Sequence, residues 1–366
     1  MRWLLSSDIR IKKGKNKGAF YGWKNLKPVS FPFIYSEITG YAITCLLWIH
    51  AEFRNFNALE AAKESAEWIL KNSHSYLVVA RPSVGRSSIN LSNLLYSFDN
   101  GMIMIGLLNL YNVTKDKNFL VFAEKVTQAL IEHFFDGEKL TARLSNSYQP
   151  VTSEYEDGIV RWSTVPGAYH CKLSIGLLEL SRLTGKTLYV EVSNLLCNYA
   201  TSLQNSDGRF ITNPGSDIVH LHPHLYACEG LIYSGLKQTN EDHYRAGLDG
   251  LMWAMAQLGS SSKALFRHTG AQSIEQSDCT AQLLRLLVLC RSELKNTLND
   301  ELDNVIERLH SRLLDFHIPF GEGKGAMRYQ LALETACSWC TMFTMQALRL
   351  WSVRNSIRSA WIDYFI

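Results

Sequence analysis

The sequence predicts an all-α protein, an (α/α)6 toroid of six helical hairpins, on three observations. Nearly all-apolar helices alternate with amphipathic, charged ones, and the pair recurs six times. Successive apolar helices start about 55 to 70 residues apart, the span of a helical hairpin with its loops. Long loops precede several of the apolar helices, all on one side of the repeat.

In order, the apolar helices open near Glu37 (SEITGYAITCLLWIH), Asp99 (SFDNGMIMIGLLNLY), Tyr169 (PGAYHCKLSIGLLELSRL), His224 (HPHLYACEGLIYSGL), Asp278 (SDCTAQLLRLLVLC) and Trp339 (CSWCTMFTMQALRLW). A helix that is apolar almost all round is buried on every side. Their partners are ALEAAKESAEWILKN, KDKNFLVFAEKVTQALIEHF, KTLYVEVSNLLCNYATSLQ, EDHYRAGLDGLMWAMAQL, LNDELDNVIERLHSRLLDF and the shorter VRNSIRSAWIDYF. Each carries apolar residues at three-to-four spacing and charge on the other face. Six buried and six half-exposed helices are satisfied by an inner and an outer ring; a linear solenoid would leave one face of each apolar helix wet. The division is therefore residues 1–34 as an N-terminal arm with an aromatic opening segment, and 35–366 as the toroid.

Composition agrees. The 366 residues are 46% hydrophobic and 11% aromatic, enough for a large core. A net charge of +3 marks no nucleic-acid surface. The basic run from Arg10 to Lys17 reads as a solvated arm. The apolar stretch in MRWLLSSDIRIKK is too short for a secretion signal, and no segment approaches the roughly 20 apolar residues that span a bilayer. A cytoplasmic protein is the expectation. The eight cysteines, at 45, 171, 197, 228, 279, 290, 337 and 340, sit mostly in apolar helical patterns and read as reduced small hydrophobes. Cys337 and Cys340 form a CxxC with no second pair at metal-site spacing.

Chemistry is expected where the inner helices begin. Glu37, Asp99, Tyr169 with His170, His224, Asp278 and Trp339 fall at the same end of the ring. That end collects unpaired backbone N–H groups and a positive dipole suited to an anionic ligand. The stretch Asp217–Leu236 adds His220 and His222, with Tyr226 one turn on. The loops supply Arg81, Arg86, Arg161, Trp162 and His268, with Tyr41 on the first inner helix, a set for gripping a hydroxylated or acidic ligand. Blander roles stand beside these: HLHPH as packed, silent imidazoles, Asp99 and Asp278 as helix caps, Tyr169 and Trp339 as core aromatics. Glu229, inside the apolar ACEGL, requires a nearby Arg, Tyr or His as partner.

Openings such as SFDNGMIMIGLLNLYNVTKDKNFL resemble those of the six-hairpin carbohydrate-active enzymes, among them N-acylglucosamine 2-epimerases, glucuronyl 5-epimerases and unsaturated-glucuronyl hydrolases. The resemblance is architectural and spans Tyr35 onward. It implies a sugar or polysaccharide substrate in a central cleft and no cofactor or metal. From the 2-epimerases it implies His170 and His224 as the proton-moving pair, with Tyr169 and Tyr226 assisting and Arg161 holding a carboxylate or oxyanion. From the hydrolases it implies Asp99 and Asp278 as paired carboxylates, with Glu37 or Glu275 in reserve. Glu37, Tyr41, Arg161, Trp162, His220, His222, Tyr226, His268 and Trp339 are the expected substrate contacts. Proton transfer at a sugar carbon, of epimerase or lyase type, is the first expectation; hydrolysis, a zinc-dependent toroid cyclase using His170, Cys171 and Cys340, and a non-catalytic glycan-binding ring are the alternatives.

Overall fold

The computed structural model describes residues 1–81, 94–151, 155–156, 159–213, 216–258, 264–270, 273–356 and 359–365. Its helices are α1 (Arg2–Ser6), α2 (Ser36–Phe53), α3 (Phe56–Asn72), α4 (Ser97–Thr114), α5 (Lys117–Phe134), α6 (Ser174–Thr184), α7 (Leu188–Ser202), α8 (Leu221–Gln238), α9 (Glu241–Ala256), α10 (Ser277–Leu289), α11 (Arg291–Asp315) and α12 (Ser338–Ser352). Short strands β1 (Trp23–Leu26), β2 (Val29–Ser30), β3 (Leu94–Tyr96), β4 (Arg143–Ser145), β5 (Tyr155–Glu156), β6 (Ile159–Val160) and β7 (Thr335–Cys337) lie in the connections. No described helix is long and apolar enough to cross a membrane.

Two compact units are present. One comprises residues 1–166, 173–196 and 364–366; the other comprises 167–172 and 197–363.

In the first unit α2 and α4 are buried along almost their whole length, while α3 and α5 bury one face. Each hairpin turns the same way. The buried helix stops at a left-handed residue, Arg54 or Lys115, and the next residue, Asn55 or Asp116, caps the partner by accepting from its first-turn N–H groups. A left-handed stop followed by an Asn or Asp cap reverses the chain in two residues. The buried helices open differently, without a side-chain cap. The first amide of α2, on Ser36, donates to the Ala80 carbonyl, and that of α4, on Ser97, to the Ala142 carbonyl. β3 pairs antiparallel with β4 through Leu95 and Leu144 beside that second bond.

Residues 1–34 contribute to the core: Leu4, Ile9, Ala19, Phe20 and Ile34 are completely buried. Of the basic run, Arg10 and Lys17 pair with Glu64 on α3, while Lys12, Lys13 and Lys15 are exposed. Gly18 holds a left-handed backbone, and a Cβ there would meet the Glu64 carbonyl oxygen at 2.0 Å, so only glycine lets the run lie on the helix.

The second unit repeats the device. α8 stops at left-handed Thr239, and Asn240 caps α9. The Leu221 amide donates to the Arg267 carbonyl and the Ser277 amide to the Tyr329 carbonyl, so α8 and α10 are also opened by backbone bonds from a distant loop. The third predicted apolar helix begins as a three-ten turn, Ala168–Leu173, because α8 crosses it closely. A Cβ on Gly230 would lie 2.5 Å from the backbone of Cys171 and Lys172. α11 starts at Arg291, one residue past Cys290, earlier than LNDELDN suggests. The last predicted partner is only a three-ten turn, Ser359–Tyr364.

Candidate active site

Three helices of the second unit carry polar or aromatic residues at i, i+4 and i+7, which place three side chains on one helix face. They are His222, Tyr226 and Glu229 on α8; Asp278, Gln282 and Arg285 on α10; and Trp339, Phe343 and Gln346 on α12. The helices start in register, so the stripes meet turn by turn.

At the first turn Asp278 collects donors. Trp339 Nε1–H reaches its Oδ2 at 2.9 Å, Gln276 Nε2 reaches the same oxygen at 3.2 Å, and the Cys279 amide donates to Oδ1 at 2.8 Å. Gln276 also donates to the Tyr329 hydroxyl at 2.6 Å, and the Tyr329 ring meets Trp339 edge-on at 5.6 Å. Burial, and after it Asp278, pushes the Tyr329 phenol well above its ordinary range. Asp278 does not serve as the N-cap of α10, which falls at Gln276.

His222, in the first turn of α8, sets its Nδ1 2.5 Å from Gln282 Oε1, in the second turn of α10, and 3.9 Å from Asp278 Oδ2. Its ring packs on Tyr226 at 4.3 Å and Phe343 at 5.8 Å. Burial lowers the His222 pKa, outweighing the opposing pull of Asp278, so the imidazole is neutral near pH 7.

The third turn is a fully buried ionic cluster. Glu229 pairs with Arg285 and accepts from Lys172 Nζ at 2.7 Å, and all three side chains are 0% exposed. Arg285 donates its other nitrogen to Gln346 at 2.6 Å. Gln282 Nε2 lies 3.5 Å from Glu229 Oε1, linking this layer to the one above. Burial alone would raise the Glu229 pKa; Arg285 and Lys172 override it and bring it below the usual carboxylate value. Lys172 stacks over Tyr226 at 4.1 Å and Arg285 over Phe343 at 5.1 Å.

The structure thus joins His222, Tyr226, Asp278 and Trp339, and separates His224 from them. α8 begins at Leu221, so His222 occupies the second helical position, as Asp278 and Trp339 do in theirs. His224 is two residues on, about 200° round the helix, and faces α9. There its Nδ1 accepts from the Phe210 amide at 3.3 Å and its Nε2 donates to the Gly250 carbonyl at 2.8 Å. Both nitrogens are committed between Phe210 and Trp253, and burial lowers the pKa to about 4. That is a packing histidine. His170 is 1% exposed, packs on Tyr169 at 4.1 Å and accepts from the Gly167 amide; burial lowers its pKa to about 3. His220 and His268 form their own pair, ring centres 5.1 Å apart, and burial followed by His268 lowers the His220 pKa to about 4.

Other expected residues belong to the first unit. Tyr35 is hydrogen-bonded to Glu37, and its pKa is raised well above normal by burial, Glu37 and Asp99. Arg81 lies over the Tyr35 ring at 5.3 Å. The caps of α2 and α4 are Tyr35 and Tyr96, so Glu37 and Asp99 are not capping groups. Tyr41 is 2% exposed within α2. Arg161 precedes the three-ten turn Trp162–Thr164, and Trp162 meets Phe98 edge-on. Arg86 lies outside the described residues.

Among the described residues one trio, His222, Asp278 and Cys279, brings metal-type donor atoms within 4.8 Å of one another. Its His222 and Asp278 atoms are those already engaged with Gln282, Trp339 and Gln276. The cyclase set does not assemble in these contacts: Cys171 donates to the Ala227 carbonyl and Cys340 bonds Cys337.

Lys172, Gln276, Gln282, Arg285, Tyr329 and Gln346 were not anticipated. Most had a signal: Gln282 and Arg285 interrupt the apolar TAQLLRLL three residues apart, and Lys172 and Gln346 interrupt CKLSIG and TMQAL.

No protein-family model and no curated protein matches the chain. Solved structures do. The chain is similar to a sugar epimerase from a ruminal bacterium (TM-score 0.74, 12% identity, 98% of both chains). It is similar to the cellobiose 2-epimerase of Bacillus thermoamylovorans (0.75, 11% identity, 93% of this chain and 94% of that one). It also matches an unsaturated glucuronyl hydrolase specific for heparin (0.68, 11% identity, 93% and 92%). The fold is therefore the (α/α)6 toroid of these proteins, as the alternation of helices implies.

Proposed function

We propose that the chain is a carbohydrate-active enzyme that moves a proton at a sugar carbon next to a carbonyl, the step shared by epimerisation and aldose–ketose isomerisation. His222 is the general base. The observation carrying this reading is a half-buried, neutral imidazole whose Nδ1 lies 3.9 Å from an acceptor, Asp278, beside an aromatic pair, Trp339 and Tyr329. A base that abstracts a proton from carbon must be unprotonated at working pH. Aromatic faces and a hydrogen-bonded carboxylate suit the C–H and O–H sides of a sugar ring. That similar folds include proteins named as a sugar epimerase, a cellobiose 2-epimerase and a D-mannose isomerase supports the same class. The register of α8 moves the base from His224 to His222.

The test is incubation with a panel of reducing mono- and disaccharides in deuterium oxide. Deuterium entering the carbon beside the carbonyl, lost in His222→Gln and kept in His224→Gln, is the expected result. Intact sugars free of deuterium, or a His222→Gln enzyme as fast as the parent, would remove the assignment. Glycoside hydrolysis has one observation in its favour, the convergence of Glu37 and Asp99 on Tyr35, and new reducing ends in the same assay would identify it.

A further inference from the structure

We propose that Gln282 and Glu229 are positioning residues that hold His222 in the tautomer whose Nδ1 carries the proton and whose Nε2 carries the lone pair. The inference rests on reading His222 as the base. It follows from a chain of donors and acceptors that runs from Glu229 through Gln282 to His222.

Glu229, held between Lys172 and Arg285, can only accept. Neither cation has an aqueous alternative: Lys172 is enclosed by Tyr226 and Phe343, and Arg285 by Gln346 and Phe343. Gln282 must therefore turn its amide NH2 toward Glu229, at 3.5 Å. The amide's other end, Oε1, then faces His222 Nδ1 at 2.5 Å. An amide oxygen only accepts, so Nδ1 bears the proton; the opposite tautomer would set two lone pairs against each other beside a fully buried Gln282. Free imidazole side chains favour the proton on Nε2, so the buried carboxylate reverses the intrinsic preference from two residues away. The charged groups around His222 are Asp278 from α10, Glu229 from α8 and Lys172 from the three-ten turn. Asp278 Oδ2, 3.9 Å from the same Nδ1, favours the same tautomer through space, and the Gln282 amide holds it by a direct hydrogen bond.

The orientation of the base is thus set by side chains that are themselves fully buried, Gln282 and Glu229. Metal-bound histidines are oriented by such outer partners, whose loss costs about ten- to a hundredfold in function, and the same logic applies to an imidazole base.

Nitrogen-15 NMR of histidine-labelled protein near neutral pH, with the His222 signals assigned by their loss in His222→Gln, reads the tautomer without any substrate. The wild type should show a protonated Nδ1 and a bare Nε2. Gln282→Met should convert His222 wholly or partly to the Nε2–H form, with turnover reduced about tenfold or more. Gln282→Glu should keep the Nδ1–H form while moving the His222 titration, and the acid limb of the pH–rate profile, to higher pH, because a carboxylate now faces the ring. A structural role alone would leave tautomer and titration where they are. A wild-type spectrum with Nε2–H, or a folded Gln282→Met protein with the wild-type tautomer, would overturn the proposal. The wild-type measurement decides even if the variants fail to fold. The Nδ1–H tautomer in a protein that turns over no sugar would support this inference and count against the function proposed above; sugar turnover with the Nε2–H tautomer would do the reverse.

Discussion

Glu229→Gln is the most informative perturbation of the fold. The side chain is 0% exposed and is the carboxylate shared by two buried cations, Lys172 at 2.7 Å and Arg285. Removing its charge leaves both cations in a core with one amide between them, and uncovering a buried charge in this way costs about 3–5 kcal/mol. Lys172→Met should cost a similar amount by stranding half of the carboxylate's partners. The double variant should lose less than the sum by about 0.5–3 kcal/mol, the usual coupling between residues in one network. Urea unfolding at pH 7, followed by tryptophan fluorescence and by circular dichroism, gives all four corners of the cycle. The sign with pH is also determined. Burial is overridden by Arg285 and Lys172, and the folded pKa of Glu229 lies below its unfolded value. The carboxylate's contribution is therefore complete above the ordinary Glu pKa and disappears as pH falls through the lowered one. The gap between wild type and Glu229→Gln should hold from pH 7 to 5 and close in stronger acid. Additive single effects, or a Glu229→Gln cost under about 1 kcal/mol, would refute the argument, since an exposed pair behaves in that manner.

Three further outcomes follow from the same geometry. The folded pKa of His224 is depressed to about 4 from 6.5 by burial, so the unfolded chain takes up the proton first and stability falls as pH drops from 6.5 toward 4. The loss is on the order of 3 kcal/mol, and His224→Phe should flatten that part of the stability curve in urea titrations. Gly230→Ala should destabilise by about 1–3 kcal/mol, because its Cβ would lie 2.5 Å from the Cys171–Lys172 backbone; it should also weaken the Glu229→Gln effect by pushing Lys172 away, as a second denaturation cycle would show. All eight cysteines are free and buried, so a thiol reagent should titrate them only on unfolding; rapid labelling of the native protein would contradict the packing of α8, α10 and α12.

What could be read from the letters, and what could not, divides by range. Periodicity is local, so the alternation of buried and half-buried helices was visible; the Asn and Asp caps after the left-handed stops at Arg54, Lys115 and Thr239 were not singled out. The partner required for Glu229 was foreseen as an Arg, Tyr or His; Arg285 fills that place, and Lys172 joins it only because Gly230 lets α8 touch a three-ten turn some 57 residues earlier in the chain. Arg10 and Lys17 of the basic N-terminal run read as solvated because their counter-charge, Glu64, lies on a helix far along the chain.

The choice between His222 and His224 shows the limit most clearly. Both sit in HLHPH and both have pKa values lowered by burial, His222 half-buried and His224 fully so. What separates them is the residue at which α8 begins, and that is set by a hydrogen bond from the Leu221 amide to the carbonyl of Arg267, a contact 46 residues long. A two-residue slip of the helix would put His224 where His222 now meets Gln282, and Tyr226 where His224 now meets α9. The candidate base is therefore specified jointly by a local stripe, His222–Tyr226–Glu229, and by a distant loop that decides which face of the helix the stripe presents. Loosening the loop, as in a proline at Leu221 that removes the amide donor, should disorder the first turn of α8 and lower activity while leaving the Glu229 layer, two turns below, intact. If the Lys172–Glu229–Arg285 coupling vanished in that variant as well, the layers would not be separable and the register argument would fail.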